Sequence, residues 1–104
     1  MTAPAVVEAI ARVVAPRVAA LLYLGRVDDA RRRLQQIGGS TGVDGSWDVR
    51  GRSIHLHQHP GLRAAEIPRP WVARIDDVFA WMTPRLAAEG LIPTPPGQLD
   101  LLAP

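Results

Sequence analysis

The stretch SWDVRGRSIHLHQH (46–59) decides the fold, because a single turn position sorts all of its side chains onto two faces. With Gly51 and Arg52 as a two-residue turn of type II′, which has glycine first, the flanking segments pair as antiparallel strands. The apolar side chains then share one face, namely Trp47, Val49, Ile54 and Leu56. The polar side chains share the other, namely Asp48, Arg50, His55 and His57. We predict a β-hairpin over about residues 46–58, lying on helices because a lone hairpin is marginally stable in water.

The chain before the hairpin has the apolar spacing of helices. Apolar residues recur every three or four positions between residues 4 and 24, which predicts a helix that ends at Gly25. Pro16 lies inside this pattern and must kink the helix or split it in two. A second helix with one apolar stripe is predicted over about residues 27–37. The glycine-rich stretch GGSTGVDG (38–45) is predicted to be a flexible connector.

Prolines recur along the chain after the hairpin and mark the ends of its predicted elements. Residues 60–70 are predicted to be an irregular connection, followed by a long C-terminal helix over about residues 70–89. Residues 91–104 are predicted to be an extended, Pro-rich tail. These elements predict an α+β fold, with one small domain over residues 1–90 and the tail over residues 91–104.

Composition excludes several classes of protein. The chain of 104 residues has no cysteine, which excludes disulfides and thiolate zinc sites. It contains no apolar run near the ~20 residues that cross a bilayer. No basic segment precedes the apolar N-terminal stretch, as it would in a signal peptide. We therefore expect a cytoplasmic protein that does not enter the membrane.

Positive charge is concentrated in the middle of the chain. All 12 basic residues are arginines, and the net charge is +2. Between Arg50 and Arg74 the arginines outnumber the single acid, Glu66, whereas acids dominate from Ile75 onward. A basic surface attracts phosphate groups, and it can also pair with the acidic end of a neighbouring copy. A GC-rich genome, which favours arginine codons, would also explain the absence of lysine without bearing on function.

The predicted order of helix, helix, turn, helix and hairpin resembles that of winged-helix DNA-binding domains. The resemblance implies that residues 26–37 form the recognition helix, that the hairpin is the wing and that the C-terminal helix joins two copies as a homodimer. The residues that it assigns to phosphates and base edges are Arg31, Arg32, Arg33, Gln35, Gln36, Arg50 and Arg52. In the alternative interpretation, the arginines of DDARRR (28–33) pair with the nearby aspartates on a solvated helix face.

The histidines suggest a metal site only weakly. His55 and His57 share one face of the predicted strand, opposite Asp48, and the three could hold zinc or nickel. Pro60 follows His59 directly and is expected to end the strand there. The alternative is a solvated face of polar side chains, so we expect neither a metal nor another cofactor.

The sequence favours a binding protein over an enzyme. No nucleophile motif such as GxSxG is present. Our first hypothesis is a small non-catalytic, DNA-binding or DNA-associated regulator. The alternative is a protein–protein adaptor or assembly subunit, such as a phage or complex component, an inhibitor or an antitoxin-like protein, acting through the C-terminal helix and tail. Its candidate interface residues are Trp71, Trp81, Met82, Leu99, Leu101 and Leu102.

One geometric feature separates these two hypotheses. The nucleic-acid interpretation requires residues 27–37 and the turn at residues 50–52 to lie on the same surface of the molecule. It fails if they lie on opposite sides.

Overall fold

The computed structural model describes residues 3–42 and 45–86, and it confirms the α+β fold. The elements, in chain order, are α1 (Pro4–Tyr23), α2 (Val27–Ile37), β1 (Gly39–Gly42), β2 (Gly45–Arg50), β3 (Ser53–Gln58), α3 (Pro60–Ala64), β4 (Trp71–Arg74) and α4 (Ile75–Met82). A short 3-10 turn, Thr83–Arg85, follows α4. The four strands form one antiparallel sheet in the order β1-β2-β3-β4. The predicted tail over residues 91–104 lies outside the described residues.

The predicted hairpin is present with the predicted register. Trp47 faces Leu56 and Val49 faces Ile54 across the β2–β3 pair. Gly51 has a φ of 62°, which is the left-handed conformation that a type II′ turn needs at its first central position. The indole of Trp47 and the side chains of Ile54 and Leu56 are buried on the inner face of the sheet.

Helix α1 is the centre of the core and is not split at Pro16. It runs unbroken through the proline and packs against α2, α4 and β4. Ile10 and Val14 are completely buried, whereas Pro16 is exposed. Proline removes one backbone hydrogen bond from a helix, and on the solvent side water can replace it. Of the two predicted alternatives, a kink or a split, the split is therefore wrong.

The predicted helix 70–89 is wrong at its start, where the chain forms strand β4. Trp71 pairs with Leu56, and Ala73 pairs with Ile54. Trp71 and Ala73 are buried while Arg74 is exposed, which is the alternation of a strand with one face on the core. Helix α4 begins only at Ile75 and ends at Met82, so the predicted end is also wrong. The positions 87–89 of the predicted helix lie outside the described residues.

Strand β1 replaces part of the predicted flexible connector 38–45. Gly39 pairs with Asp48 at the edge of the sheet. A Cβ atom on Gly39 would lie 2.6 Å from the carbonyl oxygen of Trp47, so the absence of a side chain permits this close pairing.

The winged-helix order of elements is also wrong. It requires three helices ahead of the hairpin, and the undivided α1 leaves two, α1 and α2. Strand β4 adds a further partner to the hairpin that this prediction did not include.

Candidate nucleic-acid interface

The carboxylate of Asp76 joins helix α2 to the start of helix α4. The guanidinium of Arg31 donates to Oδ1 of Asp76 from Nη2 at 2.8 Å and from Nε at 3.2 Å. The same guanidinium donates from Nη1 to Asp28 Oδ1 at 2.7 Å. Asp76 lies in the first turn of α4, where a negative charge also suits the helix dipole.

The charges of two further arginines act on Asp76. Its pKa lies below the ordinary value, first because of the hydrogen bonds from Arg31, and then because of the charges of Arg31, Arg74 and Arg52. The backbone connects the same parts, since the amide of Ile75 donates to the carbonyl oxygen of Arg52 at 2.8 Å. Helix α2 and the β2–β3 turn therefore meet on one surface. We call Arg31, Arg52, Arg74 and Asp76 the Asp76 cluster.

The basic surface continues across the sheet face that the helices leave uncovered. Arg50 pairs in register with Ser53, and Ser53 pairs with Arg74, so the two arginines lie in one row of three strands. Strands lie about 4.8 Å apart, which separates the backbones of these arginines by about 10 Å. The Nε of Arg50 also donates to Asp48 Oδ2 at 2.8 Å.

The structure brings together only part of the predicted set of contact residues. Arg31 and Arg32 are ion-paired, the latter to Asp29 Oδ1 at 2.8 Å, as the alternative interpretation of DDARRR predicts. Arg33, Gln35 and Gln36 are exposed on α2. At about 100° per residue, Arg33 lies about 200° around the helix from Arg31, on the flank away from Asp76. Within the described residues, neither Arg33 nor Arg52 forms an ion pair.

Sequence reasoning missed Arg74 and Asp76 as members of this surface. Both were assigned to the interior of a predicted helix 70–89, whose geometry does not place them beside the hairpin turn. The available signal was the run of arginines between Arg50 and Arg74, which includes the missed position.

Asp48 belongs to an ion-pair network on the uncovered face of the sheet. It accepts from Arg50 and is hydrogen-bonded to Nε2 of His57, while His55 lies directly opposite it in register. The hydrogen bond from Arg50, followed by that from His57, lowers the pKa of Asp48. Residues 3–42 and 45–86 contain no group of three or more histidine or carboxylate side chains arranged to hold a metal ion.

Two of the predicted interface residues are in the core. Trp71 is 3% exposed and Met82 is fully buried, so neither can contact a partner, and the prediction is wrong for both. Trp71 lies on the inner face of β4, where its Nε1 donates to the carbonyl oxygen of Ile67 at 3.0 Å. Trp81 is half-buried, and the guanidinium of Arg85 lies 4.4 Å from its ring centroid. The other predicted contacts lie outside the described residues, namely Leu99, Leu101 and Leu102.

An apolar surface is exposed where α1 turns into α2. Tyr23, Leu24 and Val27 are 51%, 52% and 40% exposed, respectively. Val27 lies at the first position of α2.

No family model, curated protein or solved structure matches this chain. Among the described residues, no helix has both the length and the hydropathy of a membrane-spanning segment.

Proposed function

We propose that this chain is a small, non-catalytic protein that binds DNA through phosphate contacts. The observation that carries the proposal is the Asp76 cluster, in which Arg31 of α2 donates to the carboxylate of Asp76 and the backbone of Arg52, in the hairpin turn, is hydrogen-bonded to the residue before Asp76. This arrangement meets the requirement that α2 and the turn share a surface. The proposal does not require a winged-helix arrangement.

The chemistry of the surface suits phosphate better than base edges. A guanidinium group donates two parallel hydrogen bonds to phosphate oxygens, and its positive charge strengthens both. Among the described residues, the open sheet face that carries Arg50 and Arg74 presents no indole or phenyl ring, because Trp47 and Trp71 are directed into the core. Its exposed ring is the imidazole of His57, which is hydrogen-bonded to Asp48. Stacking of bases on indole or phenyl rings, which single-strand binders use, is therefore not supported. The proposed contact is with the backbone of a duplex, and it positions the protein without reading sequence.

The test is the salt dependence of binding to a labelled random duplex, measured by fluorescence anisotropy. Four phosphate contacts, from Arg31, Arg50, Arg52 and Arg74, predict a loss of affinity of about a hundredfold between ~50 and ~200 mM salt. Arg52→Gln/Arg74→Gln should weaken binding and reduce the slope of log K against log salt by about 2. Asp76→Asn should do the reverse and strengthen binding, because it removes the central negative charge.

The control for these variants is Arg17→Gln, since Arg17 is exposed on α1, which contributes no residue to the cluster. It should reduce affinity less than the loss of a cluster arginine does. Absence of binding at ~50 mM salt would overturn the proposal, and so would equal losses in Arg17→Gln and in the double variant.

A protein–protein adaptor or assembly subunit is the second candidate function. The exposed apolar surface formed by Tyr23, Leu24 and Val27 favours it, because apolar side chains of this size are usually buried. Leu24→Asp should abolish any self-association seen by sedimentation velocity and leave DNA binding unchanged. A homodimer or other protein partner, and a cytoplasmic location, stay predictions.

A further inference from the structure

A second basic site lies at the end of the hairpin away from the Asp76 cluster. A cavity of about 240 Å³ opens between the end of β3, helix α3 and the segment before β4. Its lining includes the side chains of Gln58, His59, Arg63 and Arg69, and among the described residues it includes no carboxylate. The hairpin strands are six residues long, so about 20 Å separates this cavity from the Gly51–Arg52 turn.

The polar groups around this cavity are donors. Neither Arg63 nor Arg69 forms an ion pair within the described residues. Nδ1 of His59 accepts a hydrogen bond from the amide of Leu62 at 3.0 Å, which caps α3. That bond requires the proton of a neutral imidazole to be on Nε2, so the free side of the ring is a donor. Two guanidinium groups, an imidazole N–H and the amide of Gln58 therefore offer donors, and among the described residues that line the cavity none is a carboxylate.

Arg69 is held in place before any ligand binds. Its guanidinium lies over the ring of Trp71, 4.4 Å from the centroid, and this ring is itself fixed by burial and by the hydrogen bond to Ile67. Stacking restricts the long side chain and leaves the edge of the guanidinium, which bears the donors, free for a ligand. Less side-chain entropy is then lost on binding.

We infer that this cavity binds a single phosphate group. Its volume is below the ~300–1,000 Å³ of sites for drug-sized molecules, which suits a small anion. The paired donors of arginine match the oxygens of a phosphate. The group could come from a small phosphate monoester or from the phosphate of a nucleic acid, and the inference does not rest on the DNA-binding proposal.

The experiment is a titration of the full chain with inorganic phosphate, followed by ¹⁵N NMR of the backbone amides and of the arginine Nε–H groups at constant ionic strength. Millimolar binding, about 1–10 mM, should shift the signals of Arg63 and Arg69 first. Arg63→Gln and Arg69→Gln should each weaken binding by about tenfold or more. Arg17→Gln is the matched control and should leave the affinity unchanged.

Substitution of Arg69 also removes its contact with Trp71, so Arg69→Lys provides a second variant that keeps the charge. It should bind phosphate more weakly than the native chain and more tightly than Arg69→Gln. The inference is overturned if phosphate causes no saturable shift, or if the shifts are spread equally over exposed arginines. It is also overturned if Arg63→Gln, with an unchanged melting temperature, binds as the native chain does.

Two further titrations distinguish the source of the phosphate. If adenosine monophosphate binds more tightly than inorganic phosphate and adenosine does not bind, the cavity is a site for phosphate monoesters. A duplex that competes for the Arg63 and Arg69 signals, even when Arg52→Gln/Arg74→Gln has removed the other surface, would identify a nucleic-acid phosphate.

Discussion

The pKa of the Asp76 carboxylate is lowered by arginines from three different parts of the fold. Hydrogen bonds from Arg31 come first, and they hold the pKa of Asp76 below its usual value. The unfolded chain has no such partners, so its Asp76 titrates near the ordinary value of ~3.9. A carboxylate whose pKa is lower in the folded state stabilises the fold above the unfolded pKa. That contribution disappears as the pH falls through the folded value.

We therefore expect Asp76→Asn to make stability less dependent on pH in the acid range. The native chain should lose stability on acidification from about pH 5 to below pH 3, and Asp29 and Asp48, with pKa values lowered by Arg26 and Arg50, contribute in the same direction. The variant should lose less over this range. Urea midpoints at pH 7 and pH 3 measure the difference. Asp77→Asn is the matched control on the same helical turn, and an equal effect there would contradict the role of Arg31.

Pro16 provides a second prediction about a single residue. It is exposed within the continuous helix α1. A proline there removes one backbone hydrogen bond and introduces a steric clash with the preceding turn. Pro16→Ala should raise the free energy of unfolding by about 1–2 kcal/mol, which is less than the full helix penalty because proline also restricts the unfolded chain. Chemical denaturation measures this change. A loss of stability would contradict the expectation that proline is unfavourable at this position.

At the scale of elements, the hairpin could be predicted and its neighbours in the sheet could not. The turn at Gly51 and the alternation on both sides of it are local signals, and they fixed the register of β2 with β3. Strand β4 has no such signal, because Trp71, Ile75 and Val78 also fit one stripe of a helix. Pairing with β3, a contact distant in sequence, selects the strand. The Asp76 cluster was missed for the same reason, since it depends on where β4 ends.

Strand β1 depends on the absence of a side chain at Gly39. A methyl group there would collide with the carbonyl oxygen of Trp47 at 2.6 Å, and backbone atoms cannot rotate away. Gly39→Ala should destabilise the protein by about 1–3 kcal/mol and increase hydrogen exchange in β1. Gly42→Ala is the control, because no atom of the described residues lies within 4 Å of its added methyl group. Comparable losses in both variants would show that glycine flexibility alone, and not close pairing, is needed.

At the scale of the whole molecule, α1 and α4 lie near opposite ends of the described chain and pack against each other in the core. Met82 is fully buried at the end of α4, although the sequence favoured it as an interface residue. Met82→Ala should lower the free energy of unfolding by about 2–5 kcal/mol without changing the mass in solution. Denaturation and sedimentation measure the two quantities. Ala80→Ser, at an exposed position of the same helix, should change stability by less than about 0.5 kcal/mol. A change in mass with unchanged stability would indicate that Met82 contributes to an interface between chains.

The packing of α1 against α4 also has a consequence for how the chain is made. Synthesis finishes α1 at residue 23 but does not begin α4 until residue 75. At about 5–20 residues per second, the apolar face of the first helix waits for several seconds before its last partner exists. Collapse of a short chain is faster than this by orders of magnitude. The growing chain therefore has an interval in which the face of Ile10 and Val14 lacks the cover that α4 later provides.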